Sequence, residues 1–271
     1  EAQPFGFILF ARNIQTPEQT KNLINTIQEC VGRTCPILID QEGGRVQRLK
    51  PPHWPKYPAM QECTEEEKLS DTITSISKDL KALGINTNCA PVLDVLFPET
   101  DTSIGDRAFS QDINIVSRLG ELTCKIMLEQ SVRPVIKHLP GHGRARVDSH
   151  EKLPIIDSTA DELKRIDIKP FIYCLEQEYK DQLWGMVGHC CYTMIDPEFP
   201  ASLSKIVISQ LIREAIGFNG LLLSDDLSMG ALNQYGPVQT RAKLCLDAGC
   251  DIALYCAGDL DEMHLITEEI A

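Results

Sequence analysis

The chain is short of basic residues: 26 Lys and Arg stand against 39 Asp and Glu, a formal net charge of −13. A field of that sign repels phosphate backbones and anionic lipid, so neither nucleic acid nor a membrane surface is an expected partner. No apolar run approaches the roughly 20 residues that a membrane-spanning helix needs. Paired cysteine patterns are also missing. The 11 cysteines are odd in number and none forms a Cys-x-x-Cys pair, which argues against a disulfide framework and against a zinc ribbon. Buried free thiols in a reducing compartment are expected instead, with Cys89 and Cys245 inside apolar stretches. No secretory leader pattern opens the chain at Glu1, so the expected location is the cytoplasm. No low-complexity tract or Gly/Ser linker marks a boundary, and one domain over residues 1–271 is expected. With 43% hydrophobic and 24% charged residues there is material for a full core, which excludes global disorder.

Short apolar runs alternate with helical patterns. The runs are Gly6 to Phe10, Pro36 to Asp40, Asn86 to Val92, Val132 to His138, Trp184 to His189, Gly220 to Asp226 and Asp251 to Cys256. Helix starts are readable between them. Thr16-Pro17-Glu18-Gln19 offers an N-cap, a first-turn proline and a capping-box glutamine, and Leu23, Ile24, Ile27 and Val31 then share a face. Thr64 to Glu67 offers a second box, followed by Leu69, Ile73, Ile76, Leu80 and Leu83 until Gly84 stops the helix. Strands that alternate with helices imply parallel β/α units, because parallel neighbours need a crossover. The expected fold is α/β, a TIM-type (β/α)8 barrel with its first strand expected to be missing from this chain. A doubly wound sheet shares the same alternation.

Chemistry gathers at the carboxyl ends of parallel strands. The runs end in Asp40, in Lys137 and His138, in His189, and in Ser224, Asp225 and Asp226. Any single polar terminus is ordinarily just solvated; four in register point to a pocket for binding hydroxyls and moving protons. The densest cluster is Lys137-His138-Leu139-Pro140-Gly141-His142-Gly143 with Asp148-Ser149-His150 close behind. His138 and His142 have the spacing of a helical zinc pair, but Pro140 and Gly141 break the helix that it requires. Neither a metal nor a cofactor is expected. Asp148 and His150 are two apart, so in an extended loop both face one way and a carboxylate can fix the imidazole. Gly43 and Gly44 complete no nucleotide-binding pattern; they are expected to turn the chain tightly and leave Arg45 and Arg48 to bridge acidic groups or hydroxyls. Arg107, in Gly105-Asp106-Arg107-Ala108-Phe109, can point into the same mouth.

Four stretches together resemble glycoside hydrolase family 3, in particular the bacterial β-N-acetylglucosaminidases of cell-wall recycling. They are Ile8 to Asn13, Ile39 to Arg48, Lys137 to His150, and Leu223 to Met229. The resemblance implies an exo-acting retaining hydrolysis through a glycosyl-enzyme. Asp225 matches the nucleophile, His150 the general acid/base and Asp148 its partner. Asp40, Arg48, Arg107, Lys137 and His138 match residues that hold the terminal sugar and its acetamido group. The implied substrate is a small carbohydrate, a muropeptide fragment carrying N-acetylglucosamine on anhydro-N-acetylmuramic acid, with or without peptide. The family's barrel begins with one more strand and ends with further helices.

Residue chemistry agrees with this. Histidine, with an ordinary pKa of roughly 6.5, can protonate a leaving oxygen and later deprotonate water without the burial that a Glu acid requires. The glycines of Pro140 to Gly143 lead to the expectation of a mobile loop. Asp226 is the runner-up nucleophile, but consecutive strand residues face opposite ways. Other readings remain: a family 3 β-glucosidase, phosphate-dependent glycosyl transfer, or a non-catalytic sugar-binding barrel. A binding module has no need of Asp225, Asp148 and His150 together.

Overall fold

The computed structural model of the chain describes residues 3–270. Its strands are short and parallel: β1 (Phe7–Leu9), β2 (Ile37–Ile39), β3 (Thr87–Asn88), β4 (Arg133–Leu139), β5 (Ile155–Ile156), β6 (Trp184–Val187), β7 (Cys191–Tyr192) and β8 (Leu222–Ser224). The helices are α1 (Pro17–Val31), α2 (Glu66–Leu83), α3 (Ile113–Glu129), α4 (Ala160–Arg165), α5 (Lys169–Leu175), α6 (Val238–Ala248) and α7 (Leu260–Ile270), with a π-helical segment Val207–Ala215 between β7 and β8. The main sheet runs β1-β2-β3-β4-β6-β8, every pair parallel.

Alternation along each strand sorts the side chains into two layers. Ile37, Ile39, Ile136, Val187 and Leu222 enter the two large clusters between sheet and helices. Leu38, Cys89, Val135, Met186 and Leu223 form a separate cluster with Ile8 and Ile252 against it. One residue from each successive strand meeting in one cluster means that the sheet is curled around an interior. Strands buried on both faces read as continuous apolar runs, which is why the sequence shows Ile-Leu-Ile rather than polar alternation.

Helix starts follow local chemistry. Thr16 caps α1 by accepting from Gln19 N–H at 3.1 Å, while the Gln19 side chain accepts from Gln15 N–H at 3.0 Å rather than from the cap itself. The box expected at Thr64 does not form. Helix α2 begins after Glu65, one residue late for it, and the third position is Lys68, whose ammonium donates to Glu62 O at 2.7 Å. Gly84 ends α2 as expected.

Two expected strands are much reduced. Of Asn86 to Val92 only Thr87–Asn88 is regular strand, because Pro91 has no N–H to offer and the Asn88 amide bridges to the Gln41 backbone. The pairing with β4 nevertheless continues beyond it: Ala90 O and Pro91 O accept from Val135 and Lys137 N–H, and Val92 bridges to Lys137. Of Asp251 to Cys256 only Ile252 bridges to Leu223, since side chains from the end of β8 replace the ladder: Ser224 Oγ accepts from Leu254 N–H and Asp226 from Cys256 N–H, each at 3.0 Å. The small β5–β7 pair had no sequence signal; it fastens the far end of the loop after β4 to the segment after β6. All 11 cysteines are free, and all but Cys30 are buried. Among the described residues, no helix is long and apolar enough to cross a membrane.

Candidate active site

The interior cluster predicts what lines the mouth. Two residues beyond Leu38, Val135 and Leu223 on the same face stand Asp40, Lys137 and Asp225; two beyond Ile8 stands Phe10. Lys137 Nζ donates to Asp40 Oδ1 at 2.9 Å and to Glu42 Oε1 at 2.6 Å. Arg48 reaches the other oxygen of Asp40 at 3.3 Å and lies over the Phe10 ring. Strict alternation would turn His138 away from Lys137, but β4 shifts register between Ile136 and Leu139. His138 Nδ1 lies 2.7 Å from Asp94 Oδ2, and its Nε2 lies 3.4 Å from Arg107 Nη2. A carboxylate only accepts, so Nδ1 carries the proton. Arg107 makes a bidentate pair with Glu42 at 2.8 and 2.9 Å.

All of the sequence-predicted sugar-holding residues, Asp40, Arg48, Arg107, Lys137 and His138, are therefore joined in one network. Sequence reasoning missed two carboxylates at its centre. Glu42 is 3% and Asp94 0% exposed. Burial disfavours the Glu42 charge, yet Arg107 and Lys137 hold its carboxyl far below the ordinary range. Burial likewise opposes the Lys137 ammonium, and Asp40 and Glu42 outweigh it. The signals were present: Glu42 follows Asp40 by two residues, and Asp94 closes the apolar Val92-Leu93. Arg45 turns outward to Asp106 and the carbonyls of Ser103 and Ile104, bracing the loop that carries Arg107. Gly43 permits that turn, with φ +94 and space for no Cβ, which would meet Pro58 O at 2.3 Å.

Removing one partner of a buried ion network leaves the others uncompensated, at about 3–5 kcal/mol. Glu42→Gln is accordingly expected to lose about that much in urea unfolding at neutral pH; a loss below about 1 kcal/mol would contradict the network's role. The folded carboxyl titrates below its ordinary 4.5, so its stabilisation is complete above that value and fades as the pH falls. The gap between wild type and Glu42→Gln is expected to narrow in acid.

Asp225 and Asp226 part company as alternation predicts. The Asp226 carboxylate accepts from Ser228 N–H at 3.0 Å, Ser228 Oγ at 2.6 Å and Cys256 N–H at 3.0 Å, so it holds backbone together. Asp225 Oδ1 accepts only from Asp226 N–H, at 2.9 Å, and Oδ2 has no hydrogen-bond partner among the described residues. Burial would raise the Asp225 pKa, but His138, His189, the Asp226 N–H and Lys137 bring it to about 2. His189, fully buried, hydrogen-bonds Ser202 Oγ at 2.7 Å and donates through Nε2 to Asp226 O at 2.9 Å, steadying the turn that presents Asp225.

His150 sits in the long loop after β4. Its Nδ1 lies 2.8 Å from Asp148 Oδ1, and the same oxygen accepts its backbone N–H at 2.9 Å. Burial pushes the Asp148 carboxyl up, and the bonds from His150 together outweigh it and lower it overall. The imidazole is 66% exposed, leaving Nε2 open to a ligand. The loop is tied to the one that follows Asp225: Gly230 N–H donates to His150 O at 3.0 Å and Ala231 N–H to Ser149 O at 3.1 Å. Only glycine allows that approach, because a Cβ at 230 would stand 2.6 Å from His150 O. The site thus offers an ionised carboxylate, a carboxylate-oriented imidazole and a charge-balanced network of donors and acceptors, the equipment for proton-assisted displacement at a sugar carbon.

The glycosyl hydrolase family 3 N terminal domain matches residues 3–271. A beta-hexosaminidase from Idiomarina loihiensis is 35% identical over 258 residues, 93% of this chain and 76% of its own length. NagZ from Neisseria gonorrhoeae, solved in complex with N-trifluoroacetyl-D-glucosamine, superposes with a TM-score of 0.85 at 33% identity, over 97% of this chain and 76% of that one. A family 3 beta-N-acetylglucosaminidase from Paenibacillus superposes with a TM-score of 0.89 at 29% identity, over 98% of this chain. The chain spans about half the length of that Paenibacillus protein, 51%. On sequence and on structure alike, the chain belongs to glycosyl hydrolase family 3.

Proposed function

We propose that the chain is an exo-β-N-acetylglucosaminidase that removes terminal N-acetylglucosamine from muropeptide fragments with retention at the anomeric carbon. Its relatives are named beta-hexosaminidases, and the NagZ structural neighbour from Neisseria gonorrhoeae holds N-trifluoroacetyl-D-glucosamine. The observation that carries the reading is the tie between the two loops, which fastens Asp148 and His150 beside the turn that presents Asp225.

In the first displacement Asp225 attacks C1, and His150 gives its Nε2 proton to the departing glycosidic oxygen. Asp148 on Nδ1 steadies the imidazolium. In the second, neutral His150 takes a proton from water through Nε2, the hydroxide adds to C1, and the ester to Asp225 breaks. Asp40, Arg48, Arg107, Lys137 and His138 hold the sugar; because Lys137 and Arg107 are already paired with Glu42, they are pre-set for binding. We also read the curled sheet as that of a (β/α)8 barrel and residues 1–271 as a single catalytic domain, supported by the interior cluster drawn from successive strands. The free cysteines support a cytoplasmic location.

Incubation with an aryl N-acetyl-β-glucosaminide, followed by proton NMR, tests this. Release of β-N-acetylglucosamine is expected, at a rate independent of phosphate. An initial α-product would refute retention, and a sugar phosphate would refute hydrolysis.

A further inference from the structure

His142 takes no part in the mechanism above, yet it is 2% exposed and stands between the His138–Asp94 pair and the turn that carries His150. Its backbone N–H donates to Asp94 Oδ1 at 2.6 Å, the carboxylate whose other oxygen holds His138. Its ring lies 5.4 Å from the His138 ring, and Cδ2 faces Gly188, where a Cβ would be 3.3 Å away. Nε2 lies 3.3 Å from Ser149 Oγ, the residue between Asp148 and His150. Ser149 is itself buried at 5%, and its carbonyl accepts from Ala231 beyond Asp225. Nδ1 is buried with no hydrogen-bond partner among the described residues.

We propose that His142 is a positioning residue, a latch that seats the Asp148-Ser149-His150 turn against the Asp225 loop through Ser149, and so decides where the acid/base imidazole stands. The proposal rests on the hydrolase reading and deepens it. Ser149 is the only member of the turn whose side chain points inward, so a contact there sets the turn without touching the exposed His150 ring. The unpartnered Nδ1 fits this role. A neutral ring with its proton on Nε2 donates to Ser149 Oγ and leaves a bare Nδ1 acceptor, which is cheaper to bury than an unpaired N–H. The charge state agrees: burial first, then His138, pushes His142 down to about 4, so the ring is neutral at ordinary pH. The other charged groups facing it, Asp94 and Asp225, act the opposite way and do not prevail.

A misplaced acid/base costs proton transfer before it costs binding, so the readout is leaving-group dependence. The test compares kcat/KM of wild type, His142→Ala, His142→Gln and Ser149→Ala on N,N′-diacetylchitobiose and on a dinitrophenyl N-acetyl-β-glucosaminide. His142→Ala and Ser149→Ala are each expected to lose about ten-fold on the disaccharide and less than about two-fold on the activated glycoside. The double variant should lose no more than either single one, because both break the same contact. His142→Gln, whose amide reaches the position of Nε2, should recover most of the loss. Amide hydrogen exchange should quicken at residues 147–152 in His142→Ala and not in His142→Gln. If wild type cleaves both substrates and the variants lose equally on each, or exchange at 147–152 is unchanged, the latch is wrong and the hydrolase reading stands. A wild type inert on both substrates would overturn the hydrolase reading, and the latch with it. Should His142→Ala fail to fold, Ser149→Ala alone carries the same leaving-group comparison.

Discussion

Replacing Asp225 by Ala is expected to lower kcat/KM by about 10⁴-fold or more on every substrate, with the circular dichroism spectrum unchanged. At roughly 1.4 kcal/mol per factor of ten, that is more than about 5 kcal/mol of transition-state stabilisation lost from a residue whose carboxylate holds a single backbone N–H, that of Asp226. The neighbouring change is the control. Asp226→Ala removes three hydrogen bonds to Ser228 and Cys256, so it should show up first in stability, by about 1–3 kcal/mol, and in activity only through disorder of the turn. If Asp226→Ala abolished turnover in a fully folded protein while Asp225→Ala kept near wild-type rates, the two roles would have to be exchanged. A mechanism-based fluorosugar gives the same assignment chemically, as a covalent mass on the peptide containing Asp225. Absence of that mass would favour attack by the substrate's own acetamido oxygen. Since Asp225 is held down to about 2, the proposed nucleophile is ionised at neutral pH, and its own titration should leave no mark on the activity profile there.

His150→Ala should separate substrates rather than silence the enzyme. On N,N′-diacetylchitobiose, whose departing alkoxide needs a proton, kcat/KM is expected to fall by about 10²–10⁴-fold. On a dinitrophenyl glycoside, which leaves as a stable anion, the fall should be under about ten-fold. The ratio kcat/KM reports only steps up to formation of the glycosyl-enzyme, so the later role of His150 as base does not blur the comparison. Equal losses on both substrates would remove the acid role. The latch variants at His142 and Ser149 should reproduce this pattern at smaller amplitude, since they shift the imidazole instead of removing it.

Much of the site was legible from residue order alone. Asp40, Lys137 and Asp225 each lie two residues beyond an interior residue, and a period of two is a property of the extended backbone. The preference for Asp225 over Asp226 rests on the same alternation. The pairing of Asp148 with His150 does not, because the two meet across a turn, with Glu151 N–H donating to Asp148 O and His150 N–H to Asp148 Oδ1, and not along an extended loop. His138 shows where the logic of alternation stops: the β4 register shift between Ile136 and Leu139 brings a residue of the opposite parity to the site, and that shift is not written in local preference. The Thr64 box failed because a shift of one residue in the helix start, within the reach of packing, is enough to undo it.

Residue types and short-range periodicity determined the α/β alternation and the polar strand ends, because caps, turns and pleats depend on neighbours a few residues away; the family was legible only through the resemblance of four stretches. Tertiary structure alone decided which charges are paired and buried. Lys137 meets Asp40 across 97 positions, Arg107 meets Glu42 across 65, and His138 meets Asp94 across 44. Partners so distant in the chain are brought together by the curl of the sheet, and whether a carboxylate holds a sugar, a cation or the backbone depends on what the curl sets within 3 Å of it.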